Sequence, residues 1–132
     1  MAYKLPLEEQ NPSIASIKKA LTPMFMLALL EVRPMYVSEM VSIIEKESEG
    51  AYSMAYPYDI VYRLTENDYM IPVKKAQIDG RRRQLYTISD KGKDYLLELK
   101  ESYDKYMEGI ENIWRFIDIS KQNGEESGHE ST

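Results

Sequence analysis

Between two short strand-like segments this chain carries Asp79-Gly80-Arg81-Arg82-Arg83-Gln84. The first segment, Met70 to Val73, holds Ile71 and Val73 and runs into the basic pair Lys74-Lys75. The second, Leu85 to Ile88, alternates, with Tyr86 and Ile88 on one face and Leu85 and Thr87 on the other. Asp-Gly favours a hairpin turn, because glycine adopts positive φ without a Cβ clash. The pattern predicts a β-hairpin with three arginines beside its tip. Just upstream, Tyr56 to Asp68 reads as a short amphipathic helix with Ile60, Val61 and Leu64 turned inward.

A helix followed by a basic-tipped hairpin is the layout of a winged helix, in which the arginines would grip DNA. The net charge of −5 argues against nucleic acid until its distribution is read. Lys74 to Lys93 carries seven basic and two acidic residues, whereas Asp94 to Thr132 carries four basic and ten acidic ones. Such polarity lets one face meet phosphate while the other end stays away from it.

At 132 residues the chain is expected to form one domain with a modest core that gains from oligomerisation. Without cysteine it has neither a disulfide framework nor a thiolate metal site. The longest apolar run, Met24 to Leu30, is too short to cross a bilayer, and the N-terminus lacks a signal-peptide layout. A cytoplasmic protein without membrane contact is the expectation.

Met1 to Gln10 has no clear period and is expected to fray or pack loosely. Asn11-Pro12 opens a helix carrying Ile14, Ile17 and Leu21. Thr22-Pro23 interrupts it and starts a second, buried segment, Met24 to Val32, which Arg33-Pro34 ends. Val37 to Glu47 follows, with Val37, Met40, Val41 and Ile44 on one side and Gly50 as its stop. Ser89-Asp90 caps a long helix to about Asp118. Beyond it, Ser120 to Thr132 is polar and lacks apolar residues, which reads as a disordered tail.

Along the long helix Leu96, Leu99, Tyr103, Tyr106, Ile110, Ile113 and Ile117 recur at spacings of three and four, a heptad seam that Met107 and Trp114 widen. At about 1.5 Å per residue such a helix outruns a small domain. Its apolar face is therefore expected to form a dimer interface, with Trp114 counted in the contact.

Enzymatic chemistry finds no constellation. His129, the only histidine, falls in the tail segment, Gly80 and Gly92 are isolated, and Ser89-Asp90 reads as a cap. Neither metal nor cofactor is expected. Tyrosines give the second functional signal. Tyr52, Tyr56, Tyr58 and Tyr62 cluster around the start of the proposed recognition helix, where a phenol can bond phosphate while its ring packs on sugar or a thymine methyl. Tyr62, deep in the helix, reads instead as the edge of the core. Because strand side chains alternate, only one or two of the three arginines should reach DNA, the third pairing with a carboxylate such as Asp79.

Three motifs in order resemble the PadR family of winged helix-turn-helix transcriptional regulators. Leu27-Ala28-Leu29-Leu30 with Arg33-Pro34-Met35-Tyr36-Val37-Ser38-Glu39-Met40 is similar to the family's opening. Tyr56-Pro57-Tyr58-Asp59-Ile60-Val61-Tyr62-Arg63-Leu64 resembles its recognition helix, with Tyr58 on the family's tyrosine. Gly80 to Ser89 resembles its wing, and Lys91-Gly92 its entry into the last helix. The chain departs at Val37-Ser38, where Gly-Tyr is usual, at Asp59, where proline is common, and at Asp68, where a glycine usually ends the recognition helix.

The resemblance implies a mostly α fold with a small β-hairpin. Residues 1–89 would hold the N-terminal helices and the winged helix-turn-helix, 90–118 the dimerisation helix and 119–132 the tail. It implies a homodimeric repressor on a palindromic double-stranded operator. The DNA contacts would be Tyr36, Ser38, Ser53, Tyr56, Tyr58, Arg63, Lys74, Arg81, Arg82 and Arg83. Some relatives sense small aromatic or amphipathic compounds, and here Phe25, Tyr103, Met107 and Trp114 would line such a pocket. The competing reading is a protein-interaction module that uses the long helix and makes no functional DNA contact.

Overall fold

The structure is a computed structural model that describes residues 11–130, with side chains described as far as residue 124. The Met1 to Gln10 segment lies outside the described residues, as does the side chain of His129. Among the described residues, four helices and one hairpin follow in the order α1 (Pro12–Val32), α2 (Val37–Glu47), α3 (Pro57–Glu66), β1 (Met70–Ile78), β2 (Arg81–Ile88) and α4 (Asp90–Glu130). By backbone proximity they divide into two compact units, residues 1–97 and 98–132.

The first unit is built around α1, which packs on β2, α3 and α2. Met26 and Leu27 are completely buried and Leu30 nearly so, joined by Met40 and Val37 from α2, Ile60, Val61 and Leu64 from α3, and Met70 and Ile88 from the hairpin. Burial of each such side chain contributes roughly 1.5–3 kcal/mol. Met24, Met26, Met35, Met40, Met54 and Met70 all belong to this core, and their flexible thioethers fill the irregular space where helices meet a hairpin. By length and composition α1 is apolar enough to cross a membrane, more so than the Met24 to Leu30 run suggests. Here it serves as the core helix.

The expected break at Thr22-Pro23 does not occur: α1 runs unbroken with Pro23 inside it. Proline removes one helical donor and crowds the carbonyls behind it. The Lys18 carbonyl, one turn back, accepts the Thr22 hydroxyl at 2.6 Å and the Tyr52 phenol at 2.6 Å, and the two hydroxyls lie 2.7 Å apart. Two protons thus serve three oxygens in a closed triangle that holds α1 against the segment before α3.

Helix ends follow the sequence signals. Asn11 accepts from the Ser13 N–H at 3.0 Å, and Gly50, in the left-handed region, donates to the Glu45 carbonyl at 2.8 Å as α2 closes. Asp68 occupies a left-handed position, φ 61°, just past α3, and the next N–H, of Tyr69, returns to the Leu64 carbonyl at 2.9 Å. That geometry is the reason glycine is favoured there.

The hairpin is longer than the sequence suggests. Ile78 pairs with Arg81, so only Asp79 and Gly80 form the turn, both with positive φ, as a two-residue primed turn requires. The arginines therefore belong to β2 and not to a loop. A bulge falls between Pro72 and Lys74, where proline has no N–H to offer the ladder. Met35 joins the edge of β2 by an isolated antiparallel bridge, with bonds to and from Tyr86 of 3.2 and 2.9 Å.

Ser89 caps α4 by accepting from the Gly92 N–H at 2.9 Å. The Tyr69 and Tyr95 rings stack at 4.1 Å, with the Lys91 ammonium over Tyr69. In the second unit the helix does not stop at Asp118 but continues to Glu130. The expected tail rested on missing apolar residues, which govern packing. Helix formation needs only tolerant residues, and Lys121, Gln122, Glu125 and Glu126 are good helix formers without a proline among them.

Candidate nucleic-acid interface

The inward stripe of α3, Ile60, Val61 and Leu64, is narrow, and it leaves Tyr58 and Tyr62 one turn apart on the outer face. Both rings are 66% exposed, so Tyr62 is not the core edge that its position suggested. Asp59 and Arg63 are exposed on the same helix. Tyr56 precedes α3 in the left-handed region at φ 52°, 64% exposed. A bulky residue is strained there, and Pro57 sets the helical φ immediately after it.

On the wing, Arg81, Arg82, Lys74 and Lys75 are exposed. Arg83 differs. Its guanidinium lies over the Tyr36 ring, 5.1 Å from the centroid, with one nitrogen in a long 3.5 Å contact to the Ser38 hydroxyl. Its Nε is buried without a hydrogen-bond partner. The expected partner, Asp79, is not used: it sits in the turn, and strand alternation and length carry Arg83 to α2 instead.

A cleft of about 210 Å³ opens between these elements, lined by Tyr36, Val37 and Ser38 of α2 and its approach, Tyr58 of α3, and Arg82, Arg83, Gln84 and Tyr86 of β2. Of the expected DNA contacts, Tyr36, Ser38, Tyr58, Arg82 and Arg83 thus come together, with Arg81 next along β2. Ser53 is engaged elsewhere: its hydroxyl receives the Lys18 ammonium at 2.9 Å, toward α1. Nothing in the sequence pattern marked Gln84 and Tyr86 as cleft residues, because only the hairpin's pairing beside Met35 brings them to α2. For Tyr62, the narrowness of the Ile60-Val61-Leu64 stripe was the available signal.

An ion pair joins the end of α1 to the first turn of α2. Glu39, the acid in the first turn of α2, bonds Arg33 at 2.7 Å, and that pairing raises the Arg33 pKa above its usual value. With Arg33 half in solvent, the pair adds little stability.

Among the residues expected at a ligand pocket, Phe25 packs edge-on against Tyr52 within the first unit, centroids 5.2 Å apart. Tyr103, Met107 and Trp114 lie on α4 in the second unit. There the seam is largely uncovered: Tyr106, Ile110, Ile113 and Trp114 are between 43% and 68% exposed, while Leu99, Tyr103 and Ile117 are half-buried. At the head of the seam, within the first unit, Leu96 is buried.

The chain matches the family described as the transcriptional regulator PadR-like family over residues 26–111. No curated protein matches it. Among solved structures it is similar to a transcriptional regulator from Clostridium thermocellum, with 20% identity, TM-score 0.67, and coverage of 74% of this chain and 96% of that one. It is also similar to a PadR-like transcriptional regulator from Bacillus cereus, at 22% identity and TM-score 0.64, covering 74% and 95% of the two chains. A PadR family regulator from Eggerthella lenta matches at 17% identity and TM-score 0.62, covering 80% and 90%.

Proposed function

The chain belongs to the PadR-like family of transcriptional regulators, and from that premise we propose that it is a cytoplasmic repressor that binds a palindromic operator as a homodimer. The observation that carries the reading is the shared exposure of the Tyr58–Tyr62 stripe and the Arg81-Arg82 wing on neighbouring elements of the first unit. In this reading α3 enters the major groove, where Asp59 accepts from a cytosine amino group and Tyr58 and Tyr62 pack on sugars or thymine methyls. Arg81, Arg82 and Lys74 hold backbone phosphates, which position the helix without reading sequence.

The α4 seam supports the dimer, because an apolar stripe of this length left in water is unfavourable and a second copy of the same stripe covers it. Two recognition helices one DNA turn apart, about 34–36 Å, then match two half-sites. A small aromatic or amphipathic effector would release the operator. Tyr103, Met107 and Trp114 supply the aromatic and thioether surface for it, and a ligand that prefers the free dimer weakens DNA binding by the same coupling factor.

The test is selection of sheared genomic DNA by the purified protein, followed by sequencing. Recovery of an inverted repeat is the expected result. Fragments without a common motif, bound no better than bulk DNA, would contradict it and favour a protein-interaction module.

A further inference from the structure

We propose that the stacked rings of Tyr69 and Tyr95 set the half-site spacing this protein accepts, by fixing the end of α3 to the opening of α4. The inference rests on the dimeric DNA-binding reading above and adds to it two positioning residues that act without touching DNA.

Only Asn67, Asp68 and Tyr69 separate α3 from β1. Asp68 takes its left-handed φ of 61°, and Tyr69 returns its N–H to the Leu64 carbonyl at 2.9 Å, so Tyr69 is locked to the last turn of α3. From the other side, the chain entering α4 grips the same two residues. The Ser89 hydroxyl donates to the Asp68 carbonyl at 2.5 Å, and the Ser89 N–H donates to the Tyr69 carbonyl at 3.1 Å. Gly92 passes so close to that carbonyl that no Cβ fits between them. All of these residues belong to the first unit.

The backbone bonds pin one point but leave tilt about it open. The rings oppose that tilt: Tyr69 and Tyr95 stack with centroids 4.1 Å apart and planes 6° from parallel, and the Lys91 ammonium lies 5.2 Å from the Tyr69 centroid. A flat stack loses contact when either ring turns, which a hydrogen bond at the pivot does not. Apart from buried Leu96, the opening of α4 approaches the helices and strands of the first unit only sparsely, so little else resists. In the dimeric reading α4 carries the seam and α3 enters the groove, so a tilt at this joint moves one recognition helix against the other. One base pair more between half-sites turns them by roughly a tenth of a helical turn. A stiff joint makes that mismatch costly, because the DNA must then deform to absorb it.

The test uses the full chain and duplexes carrying the selected inverted repeat, with its half-sites at the selected separation or moved nearer or farther by single base pairs. The native protein should favour one separation over its neighbours by about tenfold or more. Tyr95→Ala should bring that preference below about threefold, while mismatches within a half-site stay as costly as before because α3 itself is unchanged. Tyr95→Phe keeps the stack and should keep the native profile. Tyr95→Leu fills the space without a flat ring, so it should broaden the profile as alanine does, and it decides the question if alanine unfolds the chain. Tyr52→Phe, weakened away from the joint, should retain the native profile, which separates positioning from lost stability. An unchanged profile in folded Tyr95→Ala or Tyr95→Leu would overturn the joint although operator binding stands. If the native chain selects no inverted repeat, the joint falls together with the operator reading.

Discussion

The Tyr52 phenol donates to the Lys18 carbonyl at 2.6 Å, tying the segment before α3 to the middle of α1. Burial raises the Tyr52 pKa above 10.0, opposed only in part by the Thr22 hydroxyl. The neutral phenol is thus favoured in the folded state. Its contribution is fully present below the unfolded value of about 10 and is lost as pH climbs through the folded one. Tyr52→Phe should cost about 1 kcal/mol at pH 7, the worth of one such bond. It should also lose less stability than the native chain between about pH 9 and 11, as read by urea unfolding. Parallel alkaline losses in the two proteins would rule the phenol out.

Gly92→Ala tests how α4 is seated. Alanine ordinarily gains about 1 kcal/mol over glycine in a helix. Here its Cβ would collide with the Tyr69 carbonyl oxygen and lie 2.8 Å from an Ile88 side-chain carbon. Backbone cannot yield as a side-chain tip can, so a loss of about 1–3 kcal/mol is expected in thermal unfolding. A stabilised variant would contradict the close approach.

Asp68→Gly should move stability the other way. The position holds φ 61°, where a side chain is strained and glycine is not. A gain of about 0.5–1 kcal/mol is expected, with DNA affinity kept because the bond from the Ser89 hydroxyl to the Asp68 carbonyl needs no side chain at 68. Destabilisation would mean that the carboxylate does something the backbone geometry does not explain.

Much of the first unit was legible in the sequence because its signals are local. Ile60, Val61 and Leu64 announce α3 by period, and Asn11, Gly50, Asp79-Gly80 and Ser89 mark ends and turns by their own conformational preferences. What escaped is non-local. Pro23 reads as a break, yet α1 runs through it, and Tyr52, far along the chain, meets Thr22 at the Lys18 carbonyl in the same stretch of helix. Strand alternation shows that one of the three arginines turns away from DNA, but only the fold shows that it is Arg83 and that it lies over Tyr36 instead of pairing with Asp79. Ser53 looks like a contact beside the recognition helix until Lys18 reaches it. Tyr62 escapes for a different reason: its place deep in the helix suggests a core edge, but the Ile60-Val61-Leu64 stripe of this ten-residue helix is too narrow to reach it.

The α4 seam leads to the dimer prediction. Ile110, 43% exposed in the single chain, should be covered in the dimer, so Ile110→Asp would bury an unpaired charge at a cost of about 3 kcal/mol or more. Sedimentation should give a dimer for the native chain and a folded monomer for the variant. Its helix content should be largely kept, since the first unit has its own core. A native monomer at tens of micromolar would remove the twin recognition helices on which a palindromic operator depends.

Whether the wing and α3 meet DNA is tested most directly by the salt dependence of operator binding. Affinity of the native chain should fall steeply as salt rises, because each phosphate neutralised by the protein releases counterions. Replacing Arg81, Arg82 and Arg83 together by alanine should leave the chain folded and make the slope of log affinity against log salt shallower by roughly one for each phosphate no longer neutralised. An unchanged slope in a folded triple variant would take the wing off the DNA.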